Sequence, residues 1–160
     1  MIVIKPNREK GLEYSQLSMS IFLAGSIEMG LAENWQSKIE TRFKDYDAVF
    51  FNPRRDDWDS SWEQDENNPE FNYQVNWELD HLERSDIIFM YFDPNTKSPI
   101  TLMELGAYGG KDMIVCCPPG FYRRGNVKIF CSRNDIPFFN NIEDAIGSLM
   151  TKLHLYKNEI

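Results

Sequence analysis

"DIIFMYFDPNTKSPITLMELGAYGGKDMIV", residues 86–115, holds two apolar runs joined by a short loop and a stretch of small and apolar residues. Between Asp86 and Asp93 every position is apolar or aromatic, so the run has no polar face to give to solvent. A strand of that kind is covered on both sides, as in parallel sheets. Ser98 can cap a helix and Pro99 suits its first position, so a helix begins there. It leads into a second buried strand, "DMIVCCPPG", residues 112–120. A strand, a covering helix and another buried strand make a βαβ unit, and that unit sets the class as α/β.

Upstream, "MSIFLAG", 19–25, is a short apolar run closed by glycine and reads as a buried strand. In "AENWQSKIETRFKDY", 32–46, Trp35, Ile39 and Phe43 recur every fourth residue, the stripe of an amphipathic helix. "DAVFFNP", 47–53, is a strand ended by proline, and the polar, acidic, tryptophan-bearing segment 54–69 is a long loop. Loops of that length are usually functional or disordered. "EFNYQVNWELDHLERS", 70–85, reads as a helix with Tyr73, Trp77 and Leu82 turned inward. Downstream, "NVKIFCS", 126–132, reads as a further strand and "NIEDAIGSLMTKLHLY", 141–156, as a closing amphipathic helix. The expected architecture is a flavodoxin-like, doubly wound, mainly parallel sheet of five strands in the order 2-1-3-4-5, with helices on both faces. All 160 residues form one domain, with residues 1–18 as an N-terminal extension whose "IVIKP" can add a short edge strand.

The net charge of −8 argues against a groove for long DNA or RNA, which requires a basic face. A small nucleoside or nucleotide needs only a local pocket and stays open. No apolar stretch approaches the ~20 residues of a membrane span, and the N-terminus has no long apolar leader segment. Cys116, Cys117 and Cys131 lie in apolar segments without metal-ligand spacing, which suits a reducing cytoplasm. His81 and His154 lack metal partners at useful spacing, so neither a metal nor another cofactor is expected.

In doubly wound sheets, ligands bind beyond the carboxyl ends of the strands at the switch point. There four loops meet: "AGSIEMG", "NPRRDDWD", "FDPNTKS" and "CPPGFYRRG". Glu104, in the second turn of the helix after the third main strand, is flanked by Leu102, Met103, Leu105, Gly106 and Ala107. A carboxylate in such surroundings either reaches solvent or has work to do, because burying it unpaired is costly. Gly25 and Ser26 can offer N–H groups and a hydroxyl to a ligand oxygen, or can simply form the turn that glycine permits. Glu28 in that loop would repel a phosphate. Asn52, Arg54 and Arg55 follow the second main strand as substrate-binding candidates; the arginines can hold a phosphate or hydroxyl, or pair with Asp56, Asp57 or Asp59. The acids of 56–70 do not fit a calcium loop, since Trp62 takes the required glycine position. Trp58, Trp62 and Trp77 can serve as platforms for a flat base or as packing. Of Glu78 and Asp80, one faces the site and the other solvent.

"IFLAGSI", "NPRRDDWD", "NWELDHLERSDIIFMYFD" and "SPITLMELGAYGG" together resemble the nucleoside 2-deoxyribosyltransferase superfamily, in its deoxyribosyltransferase-like branch, over about residues 19–118. The resemblance implies that Glu104, in the "ELG" signature, is the nucleophile attacking the anomeric carbon of a deoxyribosyl group. It implies that Glu78 is the second acid, in a place where the family usually has aspartate. A further family aspartate, six residues before the nucleophile, is replaced here by Ser98, and Asp93 of the same loop is the candidate substitute. The implied activity is transfer of 2-deoxyribose between bases, without cofactor, by a homodimer or larger homo-oligomer. Two alternatives stand beside it: an N-glycoside hydrolase, and a non-catalytic nucleotide-binding sensor.

The chemistry suits these residues. Cleaving a C–N glycosidic bond develops positive charge on the sugar, which a carboxylate can stabilise and then trap. The base leaves well only when a ring nitrogen is protonated, so a second acid is required.

Overall fold

The computed structural model describes residues 1–6, 18–27, 32–59 and 61–159. In chain order the elements are β1 (Ile2–Ile4), β2 (Met19–Gly25), α1 (Trp35–Phe43), β3 (Ala48–Phe51), α2 (Pro69–Arg84), β4 (Ile87–Tyr91), α3 (Pro99–Tyr108), β5 (Met113–Cys116), α4 (Arg124–Arg133), β6 (Phe138–Phe139) and α5 (Ile142–Glu159). The strands form one sheet in the order β1-β3-β2-β4-β5-β6. Every pairing in it is parallel.

Side-chain alternation divides the core into two layers. Ile21 and Leu23 of β2, Phe50 of β3, Phe89 of β4 and Ile114 of β5 point to the face covered by Trp35, Ile39 and Phe43 of α1 and by Ala145, Ile146 and Leu149 of α5. Phe22, Phe51, Met90 and Val115, one residue on in each strand, point to the other face, against Trp77 and Leu82 of α2, Leu105 of α3, and Val127 and Cys131 of α4. Both faces are buried, which is why the strands read as continuous apolar runs. The three thiols are free and buried, and burial pushes them up to about 12, 12 and 11 for Cys116, Cys117 and Cys131, leaving them protonated and inert.

The flavodoxin-like order is present, with two differences from the sequence reading. Residues 2–4 do form an edge strand, so the sheet has six strands rather than five. "NVKIFCS" is not a strand but part of α4, and the last strand is Phe138–Phe139. Two adjacent parallel strands need a crossover of about a dozen residues or more. A strand at 126–132 would have left too little chain after β5 to make one. Its β-branched and aromatic residues hid a helical pair: Val127 and Cys131, four apart, are the buried positions.

Candidate active site

β2 and β4 lie side by side, yet their following helices cover opposite faces, α1 on one and α3 on the other. Their carboxyl ends therefore open a crevice at the switch point. Gly25 closes β2 with φ of +140°, and a Cβ there would stand 2.2 Å from the Tyr91 carbonyl oxygen. Only glycine allows the chain to turn off the sheet this close to β4. The next residue locks the turn, because Ser26 N–H donates to the same Tyr91 oxygen at 2.9 Å.

Ser26 is buried and gathers the two loops around its hydroxyl. Its Oγ accepts from Asp93 N–H at 2.9 Å and lies 2.5 Å from Ser98 Oγ and 3.0 Å from Thr96 Oγ1. Thr96 Oγ1 is 2.8 Å from Ser98 Oγ and donates to the Asp93 carbonyl at 2.9 Å. Ser98, at the N-cap of α3, adopts the left-handed conformation with φ 46° and ψ 52°, an uncommon state for a non-glycine residue. Asp93 is also buried: it accepts from Asn95 N–H at 2.8 Å, from Asn95 Nδ2 at 3.1 Å and from Glu33 N–H at 3.2 Å. Its carboxylate binds the β4 loop to the segment before α1.

α3 turns Thr101, Glu104 and Leu105 inward and leaves Ile100 and Met103 exposed. Glu104 is only 6% exposed, so the choice between solvent and interior falls to the interior. Among the described residues no donor reaches its carboxyl. Burial, and then the charge of Glu78, pushes its pKa up to about 8.

Glu78 belongs to α2, where Asn68 caps the first turn by accepting from the N–H groups of Glu70 and Phe71 at 3.0 and 3.2 Å. The buried stripe of α2 is Gln74, Trp77, His81 and Leu82. Tyr73, expected inward, is 44% exposed. Trp77 and Leu82 face inward as expected, and only in the first turns does an amide, Gln74, take the place of the expected ring. Trp77 packs on Phe22 and stacks on His81, so it is a core residue and not an open platform. Gln74 and Glu78, four apart, are neighbours on the helix. Gln74 Nε2 donates to Glu78 Oε1 at 2.6 Å and to the Pro53 carbonyl at 3.0 Å. Its Oε1 is buried and has no partner among the described residues. Burial pushes Glu78 up to about 7, and the Gln74 bond opposes that rise. The two carboxyls lie close enough for the Glu78 charge to raise Glu104, so ionising both together is costly.

The remaining candidates, which follow β3, have protein partners. Asn52 Nδ2 donates to Glu40 at 2.6 Å, and its Oδ1 accepts from Arg54 N–H at 2.9 Å. The Arg54 guanidinium donates to the Glu33 and Ala32 carbonyls at 3.0 and 3.1 Å and to Gln36 Oε1 at 3.1 Å, fastening the approach to α1. Arg55 pairs with Asp57 at 3.1 Å and Glu70 at 3.2 Å and lies 4.8 Å over the Trp62 ring. A phosphate would have to displace these partners. Trp58 packs edge-on against Trp62. Glu28 lies outside the described residues. Among the described residues no cluster of His, Cys, Asp and Glu could hold a metal ion.

Sequence reasoning missed Gln74 and Thr96. The available signals were the four-residue spacing of Gln74 from Glu78 and the hydroxyl-rich loop before Pro99.

A family described as nucleoside 2-deoxyribosyltransferase like matches residues 18–121. A solved structure, that of a conserved protein from Enterococcus faecalis V583, superposes with a TM-score of 0.50 at 14% sequence identity, covering 89% of this chain and 99% of that one. At that identity the likeness shows the fold alone. No curated protein matches the chain.

Proposed function

The chain belongs to the nucleoside 2-deoxyribosyltransferase-like family, and from that membership we propose that it transfers a 2-deoxyribosyl group between nucleobases through a covalent bond to Glu104. The observation that carries this reading is Glu104, buried at 6% exposure on α3, with the half-buried Glu78 of α2 near enough for its charge to raise the Glu104 carboxyl. One carboxyl is available as a nucleophile and the other as an acid.

In the first half-reaction a Glu104 oxygen attacks C1′ as the C1′–N bond breaks. The bonding pair leaves with the base, and a proton passes from Glu78 to a ring nitrogen. The negative charge on Glu104 stabilises the positive charge that develops on the sugar. In the second half-reaction a ring nitrogen of another base attacks C1′, Glu104 departs as carboxylate, and the incoming base returns its proton to Glu78. Ser26, Thr96 and Ser98 hold the start of α3, from which Glu104 is about 9 Å along the helix axis. Glu104 is only 6% exposed, and a carboxyl kept from water interacts more strongly with a cationic sugar and delays attack by water.

Chromatography of the purified protein with a 2′-deoxynucleoside, alone and with a second free base, tests the proposal. The expected product is a new nucleoside that requires the second base. Free base released equally with or without the second base would make the protein a hydrolase. Binding without turnover would make it a sensor.

A further inference from the structure

We propose that Arg54 is a positioning residue for the glycosyl step: its guanidinium fixes Ala32 and Glu33 against Asp93, and through Asp93 and Ser26 it holds the start of α3 and so the place of Glu104. The inference rests on the nucleoside reading above and adds to it a residue that acts without touching the substrate.

All the hydrogen-bond acceptors of the Arg54 guanidinium are neutral oxygens. Nη1 donates to the Glu33 carbonyl at 3.0 Å and to Gln36 Oε1 at 3.1 Å, and Nη2 donates to the Ala32 carbonyl at 3.1 Å. Among the described residues no carboxylate is hydrogen-bonded to it, and Asp56 acts on it only through its charge. The next residue shows the contrast, since Arg55 pairs directly with Asp57 and Glu70. Balancing local charge therefore accounts for Arg55 but not for Arg54. A planar fork of fixed N–H groups is suited to gripping two successive main-chain carbonyls. The backbone behind that fork is anchored in turn, because Arg54 N–H donates to Asn52 Oδ1 at 2.9 Å and Asn52 Nδ2 donates to Glu40 at 2.6 Å.

The gripped segment is itself tied to the site. Glu33 N–H donates to Asp93 Oδ2 at 3.2 Å, and the Tyr91 hydroxyl donates to Glu33 Oε1 at 3.2 Å. Asp93 N–H donates to Ser26 Oγ at 2.9 Å, and Ser26 Oγ lies 2.5 Å from the hydroxyl of Ser98, the N-cap of α3. These contacts run from the end of β3, across the carboxyl ends of β2 and β4, to the helix that carries Glu104. Ser26, Asp93 and Ser98 are buried, and half-buried Arg54 stands at the outer end. Releasing that end leaves substrate contacts in place but frees Glu104 to stray from C1′. Misplacing a reacting group by a small distance lowers the rate of the chemical step more than it weakens binding.

The test measures kcat and KM for a 2′-deoxynucleoside with a second free base in the wild type, in Arg54→Lys and in Arg54→Ala, the last with and without millimolar guanidinium chloride. Lysine keeps the charge but has no fork to span the carbonyls. Both variants should lose kcat by about tenfold or more while KM changes by less than about threefold. Guanidinium should restore kcat of Arg54→Ala by at least about threefold, because it carries the same fork into the vacated place. A raised KM with kcat retained would make Arg54 a substrate contact, and unchanged kcat in both variants would make the clasp purely structural. Either result overturns the inference and leaves the transferase reading intact, as does a loss that Arg54→Lys does not share or that guanidinium does not restore. If Arg54→Ala does not fold, the division between kcat and KM in Arg54→Lys decides alone. A wild type that cleaves no deoxynucleoside removes the nucleoside reading and this inference with it.

Discussion

Glu104 makes the folded protein resist ionisation. Its carboxyl is held at about 8, against 4.5 for the ordinary group, first by burial and then by Glu78. Between those two values the native chain keeps a proton that the unfolded chain has already lost. The unfolded state binds fewer protons in that window, so stability falls as pH rises from about 4.5 to about 8, by up to about 1.4 kcal/mol per pH unit for one proton. Glu104→Gln cannot ionise and escapes this loss. Thermal melts should show wild type and variant converging near pH 5. Near pH 8.5 the variant should be more stable by roughly 2–4 kcal/mol, read as a higher Tm. A wild-type melt that rises with pH, or a variant that follows the wild type throughout, would contradict the buried carboxyl with its raised pKa. The sequence made Glu104 conspicuous by its apolar neighbours but left its direction open. Neighbour type does not determine which side of a helix faces in, and the burial of Thr101 and Leu105 on the same face resolves that. The arginines show the converse. Their position beside the switch point was legible from the sequence, but their partners, the Glu33 and Ala32 carbonyls for Arg54 and Asp57 and Glu70 for Arg55, depend on how three separate segments meet.

At the scale of elements, strands were read more surely than helix faces. β2, β4 and β5 are apolar on both sides and could hardly be anything else. In α2 the inward face of Trp77 and Leu82 is legible in the sequence and only Tyr73 departs from it, because a buried glutamine hydrogen-bonded to a backbone carbonyl looks like a surface residue in sequence. The sequence of α4 reads as a strand because Val127, Ile129 and Phe130 favour extended structure, and tertiary packing overrides that preference. The junction of β2 with its loop offers a direct test. Gly25→Ala would put a methyl carbon 2.2 Å from the Tyr91 oxygen at a φ of +140°. Relief requires β2 and β4 to separate where Ser26 holds them, so the substitution should cost about 2–4 kcal/mol in a denaturant titration. A loss below about 0.5 kcal/mol would mean that the turn is looser than described.

For the molecule as a whole, topology creates the proposed site. No single element contains it: α2 contributes Gln74 and Glu78, α3 contributes Glu104, and the ends of β2 and β4 bring Ser26, Asp93, Thr96 and Ser98 together. The alternation of strands and helices, and so the crevice between β2 and β4, could be read from the sequence because hydrophobic periodicity encodes it. The side-chain network could not, because residues far apart in sequence build it, as in the hydroxyl contact between Ser26 and Ser98. Among the described residues no helix is long and apolar enough to cross a membrane. The central claim, that this topology delivers a buried carboxylate to an anomeric carbon, is tested most directly by intact-protein mass spectrometry. Wild type and Glu104→Gln would each be mixed with a 2′-deoxynucleoside and quenched before a second base is added. The account predicts wild-type protein heavier by one deoxyribosyl group, with the added mass mapping to the peptide containing Glu104 and absent from the variant. Sugar attached to another residue, or undiminished turnover by Glu104→Gln, would contradict it.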